Sequence, residues 1–305
     1  MVYMRWRKLW RMNGPLMLMA LPGTMFLLLF KYLPMGGIII AFKDYNFSDG
    51  ILGSKLVGLK NFEFLFSSQD AWRITYNTLS LNTMFILFGT LLSLILALAM
   101  NELRSKWFHS VIQSALFLPY LLSWVLVGYF VFALLTTNGL INQMLNALGI
   151  EPVSWYSSPQ YWPAILVILS IWKGAGYTSI IYLASILGIN SEYYEAARID
   201  GATRLQQIRY ITIPLIRPVI IMMTLISLGH IFHSDFGMFY NVTRNAGALY
   251  PTTDVIDTYV FRTFRTLGDV GISSAAGFYQ AVVGLLLVWL SNYAVRKIDN
   301  ENAIF

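Results

Sequence analysis

Six apolar stretches, each close to or beyond the roughly 20 residues a helix needs to cross a hydrocarbon core about 30 Å thick, set the limits on this fold. They run over approximately 15–40, 78–100, 112–135, 161–186, 215–236 and 273–295. Only 12% of the 305 residues are charged and 57% are hydrophobic, whereas a soluble domain carries about one quarter charge. So little charge cannot cover a water-facing surface. The sequence therefore reads as an all-α polytopic membrane protein with six transmembrane helices, forming a single membrane domain over 1–305. The chain has no cysteine, which excludes disulfides, thiolate metal sites and a cysteine nucleophile. The net charge of +6 is not a nucleic-acid signature, because no basic patch interleaves with aromatics.

The distribution of cations orients the spans. The N-terminal tail (1–14) carries Arg5, Arg7, Lys8 and Arg11, and the loop after the second stretch carries Arg104 and Lys106. The polar segment 187–214 and the root of the next span carry Arg198, Arg204, Arg209 and Arg217, and the C-terminal tail (296–305) carries Arg296 and Lys297. These twelve lie on one side; the opposite side has seven (Lys43, Lys55, Lys60, Arg73, Arg244, Arg262 and Arg265) over longer loops. The positive-inside rule puts both termini and 187–214 in the cytoplasm. It leaves 41–77, 136–160 and 237–270 as external loops. The basic N-terminus followed by an apolar run resembles a secretory signal, but the run continues past Lys31 to Gly36-Gly37 without a small-residue cleavage site, so it reads as an uncleaved first span. Lys31 can snorkel to a boundary, and His109, in a loop, has no assigned role. In the second external loop, NGLINQMLNALG predicts a short amphipathic helix ended by Gly149.

The segment EAARIDGATRLQQIRYITIP at 195–214 is polar and helix-forming, yet it lies between two apolar spans. Ser191 is positioned to cap a helix through the Glu195-Ala196-Ala197 triplet. Gly201 falls where that helix should stop. Thr203 with Gln206 has capping-box spacing, so a second helix starts at once. Pro214 opens the fifth span, where a missing N–H costs least. The sequence thus encodes two short helices with a sharp bend, then a span. An ordinary surface helix-turn-helix would explain the helices, but not the fixed order of Glu-Ala-Ala, Gly and Ile-x-x-Pro between two spans.

That order resembles the EAA loop of permease subunits in binding-protein-dependent ABC importers. FKYLPMGGIIIAFKDYNF at 30–47, GLKNFEFLF at 58–66, NTLSLN at 77–82, LALAMNEL at 96–103, IWKGAGYTSIIYLASILGI at 171–189 and DVIDTYVFR at 254–262 look like the oligosaccharide or polysaccharide branch of that family, similar to alginate-oligosaccharide permeases. Ile213 replaces the Leu that often precedes Pro214. The resemblance implies a bacterial inner-membrane importer built from two related permeases, two ABC ATPase subunits and an extracytoplasmic solute-binding protein, surrounded by lipid. It implies that Glu195, Ala196, Ala197, Asp200, Gly201 and Ala202 dock on an ATPase. ATP and magnesium would sit on those partner subunits, and this chain has no GxxxxGK[ST] loop and so would hold no cofactor of its own. The implied cargo is an oligosaccharide, with an acidic uronate type such as alginate or a neutral sugar both open.

Candidate path residues lie in the fourth to sixth spans. Lys173 stands twelve residues into the fourth stretch, about 18 Å from its start and near the midplane. No acidic residue sits at matching depth, and Asp235 belongs near the outer end of the fifth span. A buried cation is costly, and two readings are open: a cavity-facing Lys that meets sugar hydroxyls or carboxylates, or a structural Lys bonded to backbone carbonyls or to a partner. Gly174 and Gly176 could mark a kink. Thr224, Ser227, His230 and Ser234 form a polar stripe at helical spacing that reads as a cavity face, although interhelical hydrogen bonding would give the same pattern. Trp172, Tyr177 and Tyr279 are candidates for stacking on sugar faces. His230, His233 and Asp235 lack the further ligand of a metal site. A membrane enzyme would need nucleophiles or acids gathered at one depth, which the spans do not offer. An ATP-independent carrier would more naturally show an internal repeat, and none is visible.

Overall fold

In the computed structural model, residues 2–63, 67–103 and 105–298 are described. The end of the 58–66 stretch, Arg104 and the last seven residues of the C-terminal tail lie outside them. Six helical segments are long and apolar enough to cross a membrane: Asn13–Phe42, Gln69–Asn101, Trp124–Ala147, Pro159–Leu187, Arg204–Gly229 and Val270–Lys297.

The first span is one rod with a widened π turn and a tightened 3₁₀ end. Helix α1 (Val2–Leu27) passes through a π turn at Leu28–Tyr32 and a short helix at Leu33–Met35 into a 3₁₀ turn at Gly36–Phe42. Pro34 explains the π turn, since its ring would strike the carbonyl four residues earlier and the wider turn moves that carbonyl aside. The device recurs before Pro214, where a π turn covers Ile208–Thr212 and the Ile213 N–H reaches the Ile208 carbonyl. After the first span comes a two-stranded antiparallel ribbon, β1 (Lys43–Asp44) with β2 (Lys55–Leu56). Lys43 is buried there, its Nζ donating to the Ile51 and Leu52 carbonyls at 2.7 and 3.1 Å.

Helix α2 (Gln69–Asn101) starts at Ser68, whose hydroxyl accepts from the Ala71 N–H. Its 33 residues give a rod of about 50 Å, longer than the hydrocarbon core. The expected third span at 112–135 is broken. Helix α3 (Lys106–Leu121) ends just after Pro119, Leu122 and Ser123 are extended, and α4 (Trp124–Leu135) restarts with Ser123 accepting from the Leu126 N–H. Helix α5 (Leu140–Ala147) is the amphipathic external segment, and Gly149 follows it at φ 74°. Asn142 holds that loop, bonding the Thr137 and Val153 carbonyls, the Val153 N–H and the Trp155 indole.

Helix α6 (Trp162–Leu187) runs unbroken, so Gly174 and Gly176 do not kink it. Gly176 instead permits close approach of α3: a Cβ there would fall 1.9 Å from the Leu116 carbonyl oxygen. Helices α7 (Ser191–Ile199) and α8 (Arg204–Gln207) form the bent segment. The latter continues through the π turn into α9 (Ile213–Gly229), which stops at Gly229 rather than at 236 because His230 leaves the helical conformation. Asp235 then caps α10 (Phe236–Asn241) by accepting from the Met238 N–H. Helices α11 (Ile256–Arg262) and α12 (Val270–Ile298) are the last among the described residues.

Two apolar clusters hold opposite ends of the bundle. Leu81, Val127, Trp162, Leu166, Phe239 and Val242 pack at one end, and Ala97, Met100, Tyr182, Leu183, Ile186 and Ile216 at the end carrying α7. Large apolar side chains such as Leu285, Leu286 and Trp289 are exposed on the protein surface, as suits lipid-facing positions.

Candidate functional site

The bent segment is set by its two caps. Asn190, not Ser191, caps α7: its Oδ1 accepts from the Glu192 N–H at 3.1 Å. The C-terminal end is a Schellman turn, with the Ala202 N–H on the Ala197 carbonyl at 2.8 Å and the Gly201 N–H on the Arg198 carbonyl at 3.1 Å. Gly201 takes φ 78°, a left-handed conformation that suits glycine. Thr203 and Gln206 make the reciprocal capping box. Inward contacts fix this unit to the spans. The Tyr194 and Thr212 hydroxyls are 2.9 Å apart, the buried Gln207 amide donates to the Ala202 carbonyl, and Arg204 lies 3.6 Å from Glu102 at the end of α2. Outward, Glu195, Ala196, Asp200 and Gly201 are exposed, with Ala197 and Ala202 half-buried. Ile199 and Leu205 flank the bend at 88% and 74% exposure. The result is a rigid knob with an apolar rim and a carboxylate on its face.

The break in the third span accounts for Lys173. A helix that stops after Pro119 leaves carbonyls without intrahelical partners. The Lys173 Nζ donates to the Tyr120 carbonyl at 2.7 Å and, at 3.4 Å, to that of Pro119, which also accepts from the Leu122 N–H at 3.2 Å. It also lies 5.4 and 5.3 Å from the ring centres of Tyr120 and Trp124, a cation–π arrangement. The Trp124 indole N–H in turn donates to the Asp235 carboxylate. Tyr177 stacks on Tyr120 at 4.5 Å, nearly parallel. Lys173, Tyr177, Tyr120, Trp124 and Asp235 therefore form one connected surface, and Trp172, the neighbour of Lys173, is 46% exposed.

The other candidates are distributed differently. Ser227 lines a cleft of about 220 Å³ with Thr90, Ser170, Gly174, Thr178 and Tyr182. Its hydroxyl bonds the Met223 carbonyl of its own helix, as Thr224 bonds Ile220. His230 is exposed at the end of α9 with Nδ1 on the Ile226 carbonyl. Tyr279 lies apart from the Lys173 surface, packed against Phe232 with its hydroxyl 3.3 Å from Thr75.

A polar clasp at the opposite end went unread in the sequence. The Asp254 side chain is fully buried and accepts from both terminal nitrogens of Arg262 at 3.1 and 2.7 Å, from Thr258 at 3.0 Å and from Arg73 at 3.5 Å. Asp257 accepts from the Ser234 N–H at 2.8 Å and from Gln280 at 3.0 Å. Burial pushes its carboxyl above the ordinary value, against the opposing pull of those hydrogen bonds and of His233. Asn77 and Asn82 reach across to backbone carbonyls at 254 and 231. The signal was available as Asp254-x-x-Asp257 with Arg262 eight residues beyond the first, acids and base in a segment flanked by spans.

Residues 89–300 match the family of the binding-protein-dependent transport system inner membrane component. This chain belongs to that family. The permease is 38% identical over 290 residues to the polygalacturonan/rhamnogalacturonan transport system permease protein YteP of Bacillus subtilis, covering 94% of this chain and 89% of the relative. Its fold matches a chain in the crystal structure of a bacterial ABC transporter involved in the import of the acidic polysaccharide alginate. The TM-score is 0.88 and the identity 36%, over 97% of this chain and 99% of that one. A second match, at TM-score 0.87 and 36% identity over 96% and 97% of the two chains, is to the bacterial alginate ABC transporter in complex with an alginate pentasaccharide-bound periplasmic protein. With six membrane-length helices, the permease is a multi-pass inner membrane protein.

Proposed function

We propose that this permease is one of two membrane subunits of an ATP-driven importer that receives an acidic oligosaccharide from an extracytoplasmic solute-binding protein and releases it into the cytoplasm. The observation that carries the reading is the fold match to the alginate importer over nearly the whole chain. YteP, matched over 94% of the chain, is named for polymers that contain galacturonate. Both cargoes carry carboxylates.

In this reading the knob around Gly201 seats in a groove of an ATPase subunit. Its exposed Ile199 and Leu205 supply the apolar contact and Glu195 the charge. Because α8 runs through the π turn into α9, movement of the knob is delivered directly to a span bearing Ser227 and His230. Closure of the ATPases would turn the paired permeases outward, and their opening would turn them inward. The excess of Arg and Lys near the knob and the tails supports a cytoplasmic position for both. Lys173, Trp172, Tyr177, Ser227 and His230 border the sugar path, with Tyr279 as a packing residue beside it. One observation favours a neutral cargo at Lys173: its ammonium already bonds two carbonyls and needs no anion.

The test is reconstitution of the permease with its partner subunits in vesicles, followed by uptake driven by internal ATP. Uronate oligosaccharide should be imported at a rate at least several times that of its carboxyl-reduced form. Equal uptake of both removes the acidic-cargo reading, and uptake without ATP removes the importer reading.

A further inference from the structure

Beyond the Lys173 surface, α4, α10 and the turn after α10 line a separate open cleft of about 190 Å³ formed by Val125, Gly128, Tyr129, Tyr240, Asn241 and Arg244. Its construction points to a ligand. Arg244 has φ 57° and Asn245 has φ 49°, the two non-glycine positive-φ residues among those described. Helix ends favour glycine or asparagine in this conformation, and arginine there is disfavoured because its Cβ crowds the following carbonyl oxygen. Strained backbone of this kind persists where the surroundings over-determine it, and it concentrates at binding sites. The turn is held by the Tyr250 hydroxyl on the Asn245 carbonyl at 3.3 Å and by the Asn245 N–H on the Tyr240 carbonyl at 3.1 Å. A glycine would make the turn at lower cost, so the cost is borne at a position that carries a cationic side chain.

That side chain is arranged to accept an anion. The Arg244 guanidinium lies 4.1 Å from the ring centre of Phe132, which is itself edge-on to Tyr156. A guanidinium held over a ring by this contact keeps its N–H donors available. Arg244 is solvent-exposed and forms no ion pair or hydrogen bond among the described residues, so its planar donor fork is open to a carboxylate that approaches from solvent. Tyr129 and Tyr240 border the same cleft, and Tyr240 is fixed by stacking on Phe236 at 5.1 Å and edge contact with Phe261 at 5.3 Å. An aromatic face with a phenol at its edge suits the C–H face and hydroxyls of a pyranose. The cleft has room for one such ring.

We propose that Arg244, Tyr129, Tyr240 and Asn241 form an outer subsite for one uronate unit, with Arg244 pairing with its carboxylate. The subsite rests on the acidic-oligosaccharide reading above. Phe132 lies eight residues along α4 from Trp124, the ring over which Lys173 sits, so the two cations are spaced by about 12 Å along that helix. This spacing suits an extended chain of sugars rather than a monosaccharide.

The test uses the reconstituted importer with Arg244→Gln and Arg244→Gly, assayed with a uronate oligosaccharide and with its carboxyl-reduced form, each loaded on the same binding protein. Arg244→Gly removes the cation while relaxing the backbone, so a folding defect is not expected from it. Both variants should lower uptake of the acidic cargo about tenfold, as for loss of a charged hydrogen-bonded pair, and leave uptake of the reduced cargo and ATP hydrolysis driven by it unchanged. Equal loss for both cargoes would assign Arg244 to docking of the binding protein or to structure and overturn the subsite. No loss for either cargo would also overturn it. A wild-type importer that carries only the reduced cargo would overturn the acidic-cargo reading itself, and the subsite with it.

Discussion

Replacing Asp254 by alanine should be among the most destabilising single substitutions outside the spans. The carboxylate is fully buried, and both of its oxygens are engaged by Arg262 at 3.1 and 2.7 Å. Arg262 is itself only 20% exposed and is stacked 4.2 Å from the Tyr250 ring centre. Removing one member of a buried ion pair leaves the other desolvated and unmatched, at a cost of about 3–5 kcal/mol. The Arg73 leg contributes little. It is long at 3.5 Å, one-third exposed, and shared with Asp70 at 2.8 Å, so it belongs with surface pairs worth about 0–1 kcal/mol. A loss of that size in a chain of a few hundred residues corresponds to a Tm lower by roughly 10 °C. Thermal unfolding in detergent, followed by tryptophan fluorescence, reads it directly. The decisive comparison is a double-mutant cycle with Arg262→Met. Once Asp254 is gone, removing the orphaned cation should restore much of the lost stability, because two apolar groups at a buried site cost less than one unpaired charge. A fall of less than about 2 °C for Asp254→Ala, or strictly additive losses in the double variant, would show that the clasp is not the anchor described.

Further substitutions probe other parts of the structure. Gly176→Ala should lower Tm, since its Cβ meets the Leu116 carbonyl oxygen at 1.9 Å, whereas Gly174→Ala, with nothing within 4 Å, should be silent; equal melting of the two would refute the close-approach role. The Asp257 carboxyl is raised by burial above its ordinary 3.8. The fold therefore favours its protonated form, and the stability it contributes is full below 3.8 and lost as pH rises through the raised value. Asp257→Asn keeps an acceptor for Ser234 and Gln280, so its Tm should vary less with pH across that window, and an unchanged pH profile would contradict this. Gly201→Val forces a β-branched residue to φ 78°, at a cost of about 1–2 kcal/mol or more. It should weaken the ATP hydrolysis stimulated by loaded binding protein, and normal stimulation would remove the bend from the coupling role.

The parts of the fold legible in the sequence were those written in local chemistry. All six spans appeared as apolar runs, and the bend at Gly201 was legible because a Schellman turn and a capping box depend on residues within a few positions of one another. The third span was misread because apolar composition does not reveal a break. Pro119 and Ser123 are the signals, and both are also tolerated inside membrane helices. The fifth span was drawn too long for the converse reason: His230 to Ser234 continues the helical polar spacing, but the chain leaves the helix at His230. The clasp was invisible because its partners are far apart in the chain. Arg73 and Asp254 are separated by 181 residues, and Asn82 meets the backbone at 231 after 149.

Lys173 illustrates how one side chain can carry a structural role and also a proposed place beside the sugar path. From sequence its two readings were balanced: a cation facing a sugar, or a cation satisfied by carbonyls. The broken third span supplies the carbonyls, at Pro119 and Tyr120, and so explains why a charge is tolerated at that depth. Yet an ammonium has three donors, and these contacts occupy two of them, while Tyr177 and Tyr120 stack beside it and Trp124 links it to Asp235. A side chain that binds the frayed end of α3 also reports the position of α3 relative to α6. If the two helices separate during transport, the carbonyls are released and the ammonium must find other acceptors at the moment a polar cargo is at hand. Lys173→Met should then reduce turnover for neutral and acidic oligosaccharides alike, while an acidic-selective loss should follow substitution of Arg244. Selective loss at Lys173 instead would place carboxylate recognition at the broken span.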